Sequence, residues 1–560
     1  MDYSNRNNNF NNSILSSFLT TSMALWQRQY ATAWIDIYKE FAAYSQKISE
    51  SWLDALRKTW ISKEEDAQSK ENVGLHNHIG NSNVYKKNNK KKMRALVLQG
   101  GGALGAFQAG AFKALYEKLT RQDKENGNEE RQLFDIVAGT SIGAINAAVL
   151  VSYVIENKTW NGSAEKLLEF WENLSSPTPD ITKISTSWKK EHDKNNPSAA
   201  SAEAARRYYS VKEFLKSGVD KVYSPILPPK QDEKFFDQEN KRVLYDKRPL
   251  KKSIEKFAKF PIGTAYEKGE PRLIVVSTDV AEGTTVTFDS YEKGKDLNGK
   301  EEIGKSVYYS EESSQEQEEK QRQQPIVIEY NDGIKVQHIM ASASLPEFYE
   351  YEEIDGRKFW DGGILSNTPI RELIQAHKQF WEYKIGSREL ENSVLDEASL
   401  KVPDLELYII NLWHSSDKVV PSDPDAITER HIDIKSHDQY YVKESILVTH
   451  YIHLIEKLIQ LGNDKNNNNY ELKKEINKIL ENYTISRDTT EIPKKYLDII
   501  KTQFEITKLE SIERRDDVDA ISGKIGDFTS ETIKKLIKEG YESTWKKHPQ
   551  FILQQQQQQQ

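Results

Sequence analysis

Twice in this chain a short apolar run leads into a glycine-rich turn and then into a segment with helical patterning. Residues 94–99 (RALVLQ) precede GGGALG at residues 100–105. Residues 133–138 precede GTSIG at residues 139–143. Apolar runs of this length next to glycine are typical of buried strands, and a repeated strand–turn–helix unit indicates a sheet covered by helices. We therefore predict an α/β fold whose central sheet is mostly parallel.

Further strands and a helix follow along the chain. Apolar or β-branched runs predict strands at residues 272–278, 284–288, 326–329 and 357–360, with residues 405–412 as the last core strand. Residues 336–344 are predicted as a helix. Periodic, charged sequence over residues 435–547 indicates helices beyond the sheet.

A stripe of aromatic and aliphatic side chains runs through residues 14–61. Its members recur at steps of three or four residues, close to the helical period. This predicts one long amphipathic helix, or two. The stripe could pack on the rest of the chain or on a partner helix. Alternatively, it could dock on a membrane interface, on a polymer granule, or on the same stripe of a second subunit in a homo-oligomer.

These patterns divide the chain into five parts. We predict an amphipathic helical segment over residues 1–62, a polar basic linker over 63–92, an α/β domain over 93–415, a helical extension over 416–550, and a disordered glutamine tail over 551–560.

Composition limits the classes of function. A net charge of −8 and a pI near 5.9 give no general case for nucleic-acid binding. The absence of cysteine excludes disulfides, thiolate metal sites and cysteine nucleophiles. We see neither a secretory signal nor an apolar run near the roughly 18 residues that a spanning helix needs. We expect a cytoplasmic protein, soluble or peripheral to a membrane or granule, without metal or cofactor.

Ser141 lies at the centre of the GxSxG turn, between a predicted strand and a predicted helix. A sharp turn at this place holds a serine exposed at the sheet edge, and the flanking Gly139 and Gly143 avoid the collision that a Cβ would cause. The N-terminus of the next helix directs backbone N–H groups toward developing negative charge. We interpret Ser141 as a nucleophile; the alternative is an ordinary tight turn.

The loop Gly100-Gly101-Gly102-Ala103-Leu104-Gly105 supports two interpretations. Its backbone amides could converge on an oxyanion, because glycines leave them unobstructed. The same letters also satisfy GxGxxG, the dinucleotide-binding pattern. That pattern expects an acidic residue at the end of the next strand, whereas here the next strand runs into Gly139-Thr140-Ser141.

Asp361 follows a predicted strand and precedes Gly362 and Gly363. A carboxylate at a strand end can reach into a site while the glycines let the backbone turn away. A serine nucleophile needs a base within about 3 Å, and Asp361 is our candidate. It follows Ser141 by 220 residues, so only the fold can join the two. The alternative is an aspartate that caps a turn.

Four motifs follow one another along the chain: GGGxxG, GTSIGAINAA, ASASLP at residues 341–346 and DGGILSNTP. In this order they resemble the patatin-like phospholipase family. The resemblance covers roughly residues 93–412. It implies a three-layer sandwich and a Ser141–Asp361 dyad, with no histidine in a triad. The amides of Gly100, Gly101, Gly102 and Ala103 become the expected oxyanion hole, and Gly105, Gly139, Gly143, Gly362 and Gly363 become structural members of the motifs.

One position departs from part of that family. Members from plants often carry Arg or Lys where this chain has Leu104, which weakens the case for a phospholipid headgroup. The stretch QGGGALGAFQAG and the C-terminal residues 526–544 resemble a bacterial or archaeal subgroup with a helical extension.

The resemblance implies hydrolysis of lipid acyl esters, of the phospholipase A or lipase type, without a cofactor. Two alternatives stay open. Residues 14–61 resemble granule-coating phasin proteins, so the substrate could be a stored polyester such as a polyhydroxyalkanoate. A non-catalytic helical scaffold with a vestigial site is the second alternative, although the intact serine, aspartate and glycines argue against it.

Overall fold

The structure is a computed structural model of the 560-residue chain. It describes residues 92–179, 199–226, 244–295, 301–303, 305–308, 326–346, 348–386, 389–391, 394, 401–414, 420–422, 424–462, 470–485, 494–515, 521 and 523–546. The predictions for residues 1–62, for the linker through residue 91 and for the glutamine tail lie outside the described residues.

Sixteen strands and twelve α-helices are assigned within the described residues. The strands are β1 Lys92–Leu98, β2 Ile136–Thr140, β3 Ser224–Pro225, β4 Tyr245–Asp246, β5 Arg272–Asp279, β6 Thr284–Asp289, β7 Glu292–Lys295, β8 Glu301–Ile303, β9 Lys305–Tyr308, β10 Ile326–Glu329, β11 Glu352–Ile354, β12 Arg357–Asp361, β13 Asp404–Asn411, β14 Thr484–Ile485, β15 Lys494–Lys495 and β16 Ile506–Glu513. The helices are α1 Ala106–Glu125, α2 Ile142–Asn157, α3 Ser163–Leu174, α4 Ala199–Ser217, α5 Arg248–Phe257, α6 Val336–Ser342, α7 Ile370–Ile385, α8 Pro424–Ser436, α9 Gln439–Gly462, α10 Tyr470–Asn482, α11 Tyr496–Ile500 and α12 Ser530–Trp545.

A mixed eight-stranded sheet forms the centre, in the order β11-β12-β5-β2-β1-β13-β16, with β6 also paired to β5. Strands β5, β2, β1, β13 and β16 are mutually parallel. Strands β6, β11 and β12 run antiparallel to their neighbours. Helices flank this mostly parallel sheet, which confirms the predicted α/β class.

Both faces of the sheet are buried. In β1 every residue from Met93 to Leu98 is buried, as parallel strands with helices on both sides require. Its side chains alternate: Leu96 and Leu98 join a core with α1, α2, α3 and α12, whereas Met93, Ala95 and Val97 join a core with α7 and part of α9. The arrangement is a three-layer sandwich of helices, sheet and helices.

The predicted end of the sheet was wrong. Residues 405–412 are not its last strand, because β16 pairs in parallel with β13 from Leu405–Ile506 to Asn411–Glu513. Part of the segment predicted as a helical extension, residues 416–550, therefore completes the sheet. Strand β16 was not predicted from the sequence because it lies at the sheet edge, where charged side chains such as Lys508 and Glu510 interrupt the apolar pattern.

Within the part of the chain that the structure describes, no helix combines the length and the apolar character that a membrane crossing needs.

Candidate active site

The site forms where two strands end against the same edge of β5. Strand β2 runs parallel to β5 and pairs its last residue, Thr140, with Val276. Strand β12 runs antiparallel to β5 and pairs its last residue, Asp361, with Ser277. Since β6 occupies the other edge of β5 over this stretch, β2 and β12 approach each other end to end. This register places Asp361 beside the residue that follows β2, which is Ser141.

Ser141 has a strained backbone, with φ 55° and ψ −125°, directly before α2. A left-handed φ is unusual for a residue with a Cβ and is common at functional sites. Hydrogen bonds hold the turn: the Ser141 N–H donates to Ser342 Oγ at 3.0 Å, and Ala144 N–H donates to Ser141 O at 3.0 Å. Ser342 in turn donates to Val276 O at 2.5 Å, which ties the turn to β5.

The two glycines of the serine motif allow close backbone contact. A Cβ on Gly139 would lie 2.3 Å from Gly143 O, and a Cβ on Gly143 would lie 2.1 Å from Leu98 O. Either substitution would push β2, α2 and β1 apart. The half-buried Ser141 side chain therefore stands on a turn that only small neighbours permit.

Asp361 is buried, with 4% of the residue exposed. Its carboxylate accepts a hydrogen bond from the Gly363 N–H, at 2.7 Å to Oδ1, and lies close enough to the Ser141 hydroxyl for that hydroxyl to lower the pKa of Asp361. The Asp361 N–H donates to Ser344 O at 2.9 Å, and Thr278 Oγ1 donates to Asp361 O at 3.0 Å. Its backbone is thus fixed on both sides while the carboxylate faces the serine.

Burial raises the pKa of Asp361 to about 6, because desolvation disfavours the carboxylate. Three weaker influences oppose this shift and favour the charged form: the Ser141 hydroxyl, the Gly363 N–H and the positive charge of Lys247. A carboxyl group with this pKa is ionised at neutral pH, yet is a stronger base than an exposed aspartate.

The glycine-rich loop lies beside the serine. A Cβ built on Gly100 would lie 3.1 Å from Ser141 Cβ. The Gly100 carbonyl accepts hydrogen bonds from Trp413 Nε1 at 2.7 Å and from Asn367 Nδ2 at 3.3 Å. Because the C=O and N–H of one trans peptide point in opposite directions, these donors also fix the direction of the Gly101 N–H.

The four predicted oxyanion amides differ in their surroundings. The Gly100 N–H donates to Asn367 O at 3.1 Å. Gly102 and Ala103 begin a 3₁₀ turn, Gly102–Gly105, that leads into α1, and the first N–H groups of a helix have no acceptor within it. Gly101, Gly102 and Ala103 therefore carry the amides that could face a bound anion.

The remaining motif glycines also lie at crowded positions. A Cβ on Gly105 would lie 2.6 Å from Ile142 Cγ1, and a Cβ on Gly362 would lie 2.2 Å from Val276 O. Leu104 is fully buried in the apolar core. Its side chain therefore faces the apolar interior of this protein.

Several supporting residues were missed by sequence analysis. Gln99 is fully buried and accepts from Leu412 N–H at 2.6 Å and donates to Thr368 Oγ1 at 2.8 Å. Asn367, just after the DGG motif, also donates to Ser436 O at 2.6 Å. A polar residue at the end of an apolar strand was a signal for Gln99. Trp413 and Lys247 carried no comparable signal, since their roles depend on distant parts of the chain.

Two histidines have clear structural roles. The ring of His338 packs on Phe288 and Tyr330, and its Nδ1 accepts the Lys335 N–H at 2.8 Å. His414 Nε2 lies 3.3 Å from Asp433 Oδ2.

A substitution at Gly102 tests the loop. Gly102 has φ +55°, and a Cβ there would lie 2.6 Å from Ile525 O. We expect Gly102→Ala to reduce kcat by about 10²–10³-fold, the typical cost of one misplaced oxyanion donor, and to lower stability. The matched control is Gly127→Ala, which has φ +67° but nothing within 4 Å of the Cβ. It should cost about 1–2 kcal/mol and leave kcat unchanged. Equal kcat losses in both folded variants would contradict this role for the loop.

Residues 96–374 match the family model described as patatin-like phospholipase. A solved structure, VipD from Legionella pneumophila, matches with 13% identity and a TM-score of 0.23, covering 81% of this chain and 66% of that chain. A search of curated proteins found no match. The family match extends from β1, through the glycine loop and the serine turn, to α7 beyond Asp361, and the chain belongs to the patatin-like phospholipase family.

Proposed function

We propose that the protein is a serine hydrolase that cleaves acyl esters of lipids, with Ser141 as nucleophile and Asp361 as general base. Family membership supports lipid acyl hydrolysis in general. The observation that carries the proposed dyad is the strand register that brings Ser141 and Asp361 together at one edge of β5, where the Ser141 hydroxyl acts on the Asp361 carboxylate. It joins a strained nucleophile turn to a buried base across 220 residues of sequence.

The proposed reaction has two halves. In the first, Asp361 accepts the hydroxyl proton as Ser141 Oγ attacks the ester carbonyl, and the tetrahedral intermediate then collapses. The C–O bond to the leaving alcohol breaks, and the alcohol takes the proton from Asp361. In the second half, a water molecule gives a proton to Asp361 and attacks the acyl-enzyme. The carboxylic acid leaves and Ser141 regains its proton.

The negative charge on the intermediate needs fixed donors. We assign this role to the N–H groups of Gly101, Gly102 and Ala103, supported by the anchored Gly100 carbonyl, which fixes the loop before substrate arrives. The Gly100 N–H already donates to Asn367 O, so we place it outside the hole. The N-terminus of α2 adds positive potential next to Ser141.

Apolar side chains near the dyad support a lipid substrate. Ile364 and Leu365 come directly after Gly363 and are 37% and 44% exposed. Side chains of this kind more often lie inside a protein. Exposed beside a catalytic carboxylate, they suit an acyl chain better than a charged substrate. We also propose that residues 14–61 dock on the lipid aggregate or granule, a proposal that depends on their sequence pattern alone.

A hydrolysis panel tests this function. Short nitrophenyl esters, acylglycerols, phospholipid vesicles and polyhydroxybutyrate should be offered to the full-length protein and to a form lacking residues 1–62. We expect hydrolysis of lipid esters, with the truncated form retaining the soluble esters but losing activity on aggregated lipid. Turnover of the polyester alone would instead favour a depolymerase. A folded protein without activity on any ester would contradict the proposal, and equal losses on all substrates after truncation would contradict docking.

A further inference from the structure

Lys247 is a largely buried cation just before α5. Its side chain is 11% exposed, and its Nζ lies 2.9 Å from Glu352 Oε1. The ammonium also donates to Glu350 O at 2.7 Å and to Ser344 Oγ. Burial lowers the pKa of Lys247, because desolvation disfavours the ammonium, while Glu352, Glu350 and Asp361 oppose that effect. A buried lysine with so many acceptors is held in one place.

The same contacts connect Lys247 to the proposed base. Ser344, whose hydroxyl accepts from Lys247, also accepts the Asp361 N–H through its carbonyl oxygen at 2.9 Å. Ser344 Oγ donates onward to Met340 O at 2.7 Å, which anchors the turn to α6. Ser344 therefore contacts both Lys247 and the backbone of Asp361. The charge of Lys247 also acts on the Asp361 carboxylate.

The groups that face Asp361 come from separate parts of the fold. They are the Ser141 hydroxyl at the start of α2, the Lys247 ammonium before α5, the Tyr349 phenol after α6 and the Gly363 N–H on the same turn. Tyr349 is neutral at working pH, since burial raises its pKa above the usual value. Lys247 is thus the positive side chain in this set.

We propose that Lys247 is a positioning residue for the Ser141–Asp361 dyad. Its ammonium holds the Ser344 turn against Asp361 and supplies a positive charge that favours the ionised, proton-accepting form of that carboxylate. The inference rests on the proposed function. It assigns to a residue outside the family motifs the task of keeping a buried base charged at neutral pH.

The test is the pH profile of kcat/KM on a soluble nitrophenyl ester. The wild-type acid limb should have its midpoint near pH 6, because Asp361 must be ionised to accept the proton and its pKa is about 6. Lys247→Met should move that midpoint up by about one unit, the usual effect of losing a neighbouring opposite charge. At pH 6 this reduces kcat/KM several-fold, and most of the loss should be recovered above pH 8.

Three further variants complete the experiment. Lys247→Arg keeps the charge and should keep the wild-type midpoint. Lys252→Met removes an exposed lysine on the helix that follows Lys247, α5, and should change nothing. The pair Lys247→Met/Glu352→Gln removes both members of the Lys247–Glu352 ion pair, so that Glu352 is not left without its partner, and it keeps the test valid if Lys247→Met folds poorly. It should show the same upward shift.

The outcomes distinguish failure of the proposed role of Lys247 from failure of the proposed Ser141–Asp361 dyad. Suppose that Asp361→Asn is inactive at every pH, and that the midpoint is unshifted in the folded variants Lys247→Met and Lys247→Met/Glu352→Gln. This result overturns the role of Lys247 but leaves the dyad in place. Full activity of Asp361→Asn overturns the dyad itself. A uniform loss at all pH values, with an unchanged midpoint, would show a purely structural role and would also overturn the inference.

Discussion

Replacing Ser141 by alanine is expected to reduce kcat/KM for every ester by about 10⁴–10⁶-fold, the range for removing a nucleophile that acts together with its base. The fold should persist, because the change removes one hydroxyl oxygen and leaves the backbone bonds to Ser342 and from Ala144 in place. Circular dichroism and thermal unfolding provide the control, and ester hydrolysis provides the readout.

Two residues that work as one unit give non-additive losses. The double variant Ser141→Ala/Asp361→Asn should be about as inactive as the worse single variant, since the remaining partner has no function alone. Losses that multiply across the two sites would mean that the residues contribute independently, and the dyad would then be rejected.

Replacing Asp361 by asparagine is expected to remove nearly all turnover and, at neutral pH, to stabilise the protein. Asparagine cannot accept the Ser141 proton, but its Oδ1 can still accept the Gly363 N–H. The stability effect follows from burial, which raises the pKa of Asp361 from 3.8 to about 6. The folded state therefore binds this proton more tightly than the unfolded state does.

The sign of the pH dependence follows from that difference. Below about pH 4 both states hold the proton, and the wild-type protein pays no penalty for a buried charge. Between about pH 4 and 6 the unfolded chain loses the proton first, so wild-type stability falls as pH rises. Above pH 6 the penalty is complete, at about 2–3 kcal/mol. Urea unfolding at pH 4 and pH 7.5 should show the advantage of Asp361→Asn growing by that amount. The same advantage at both pH values would contradict the buried-charge account.

Much of the fold around the site could be predicted from local sequence patterns. Strands β1 and β2, helix α2 and the two glycine-rich turns lie in contiguous stretches whose apolar period and turn residues are readable without knowledge of the rest of the chain. The segment ASASLP was recognised without a reason for its composition. The structure provides one, because Ser342 supports Ser141 and Ser344 supports Asp361.

The contact between Ser141 and Asp361 could not be predicted from the sequence. Ser141 and Asp361 meet because β2 and β12 end at neighbouring positions of β5, and the register between strands depends on the whole sheet. For the same reason, the sequence could not predict that the Gly100 N–H donates to Asn367 O and so differs from the other amides of the loop. Lys247 and Trp413 reach the site from segments with no motif of their own.

The most direct test of the central proposal is labelling with a fluorophosphonate, which phosphonylates an activated serine. After incubation with the full-length protein, intact mass and peptide mapping should find one adduct, on Ser141. The Ser141→Ala variant should remain unlabelled, and Asp361→Asn should react far more slowly because its serine has no base. A folded, ester-hydrolysing protein that stays unlabelled at Ser141, or that carries the adduct on another residue, would contradict the assignment of Ser141 as the nucleophile.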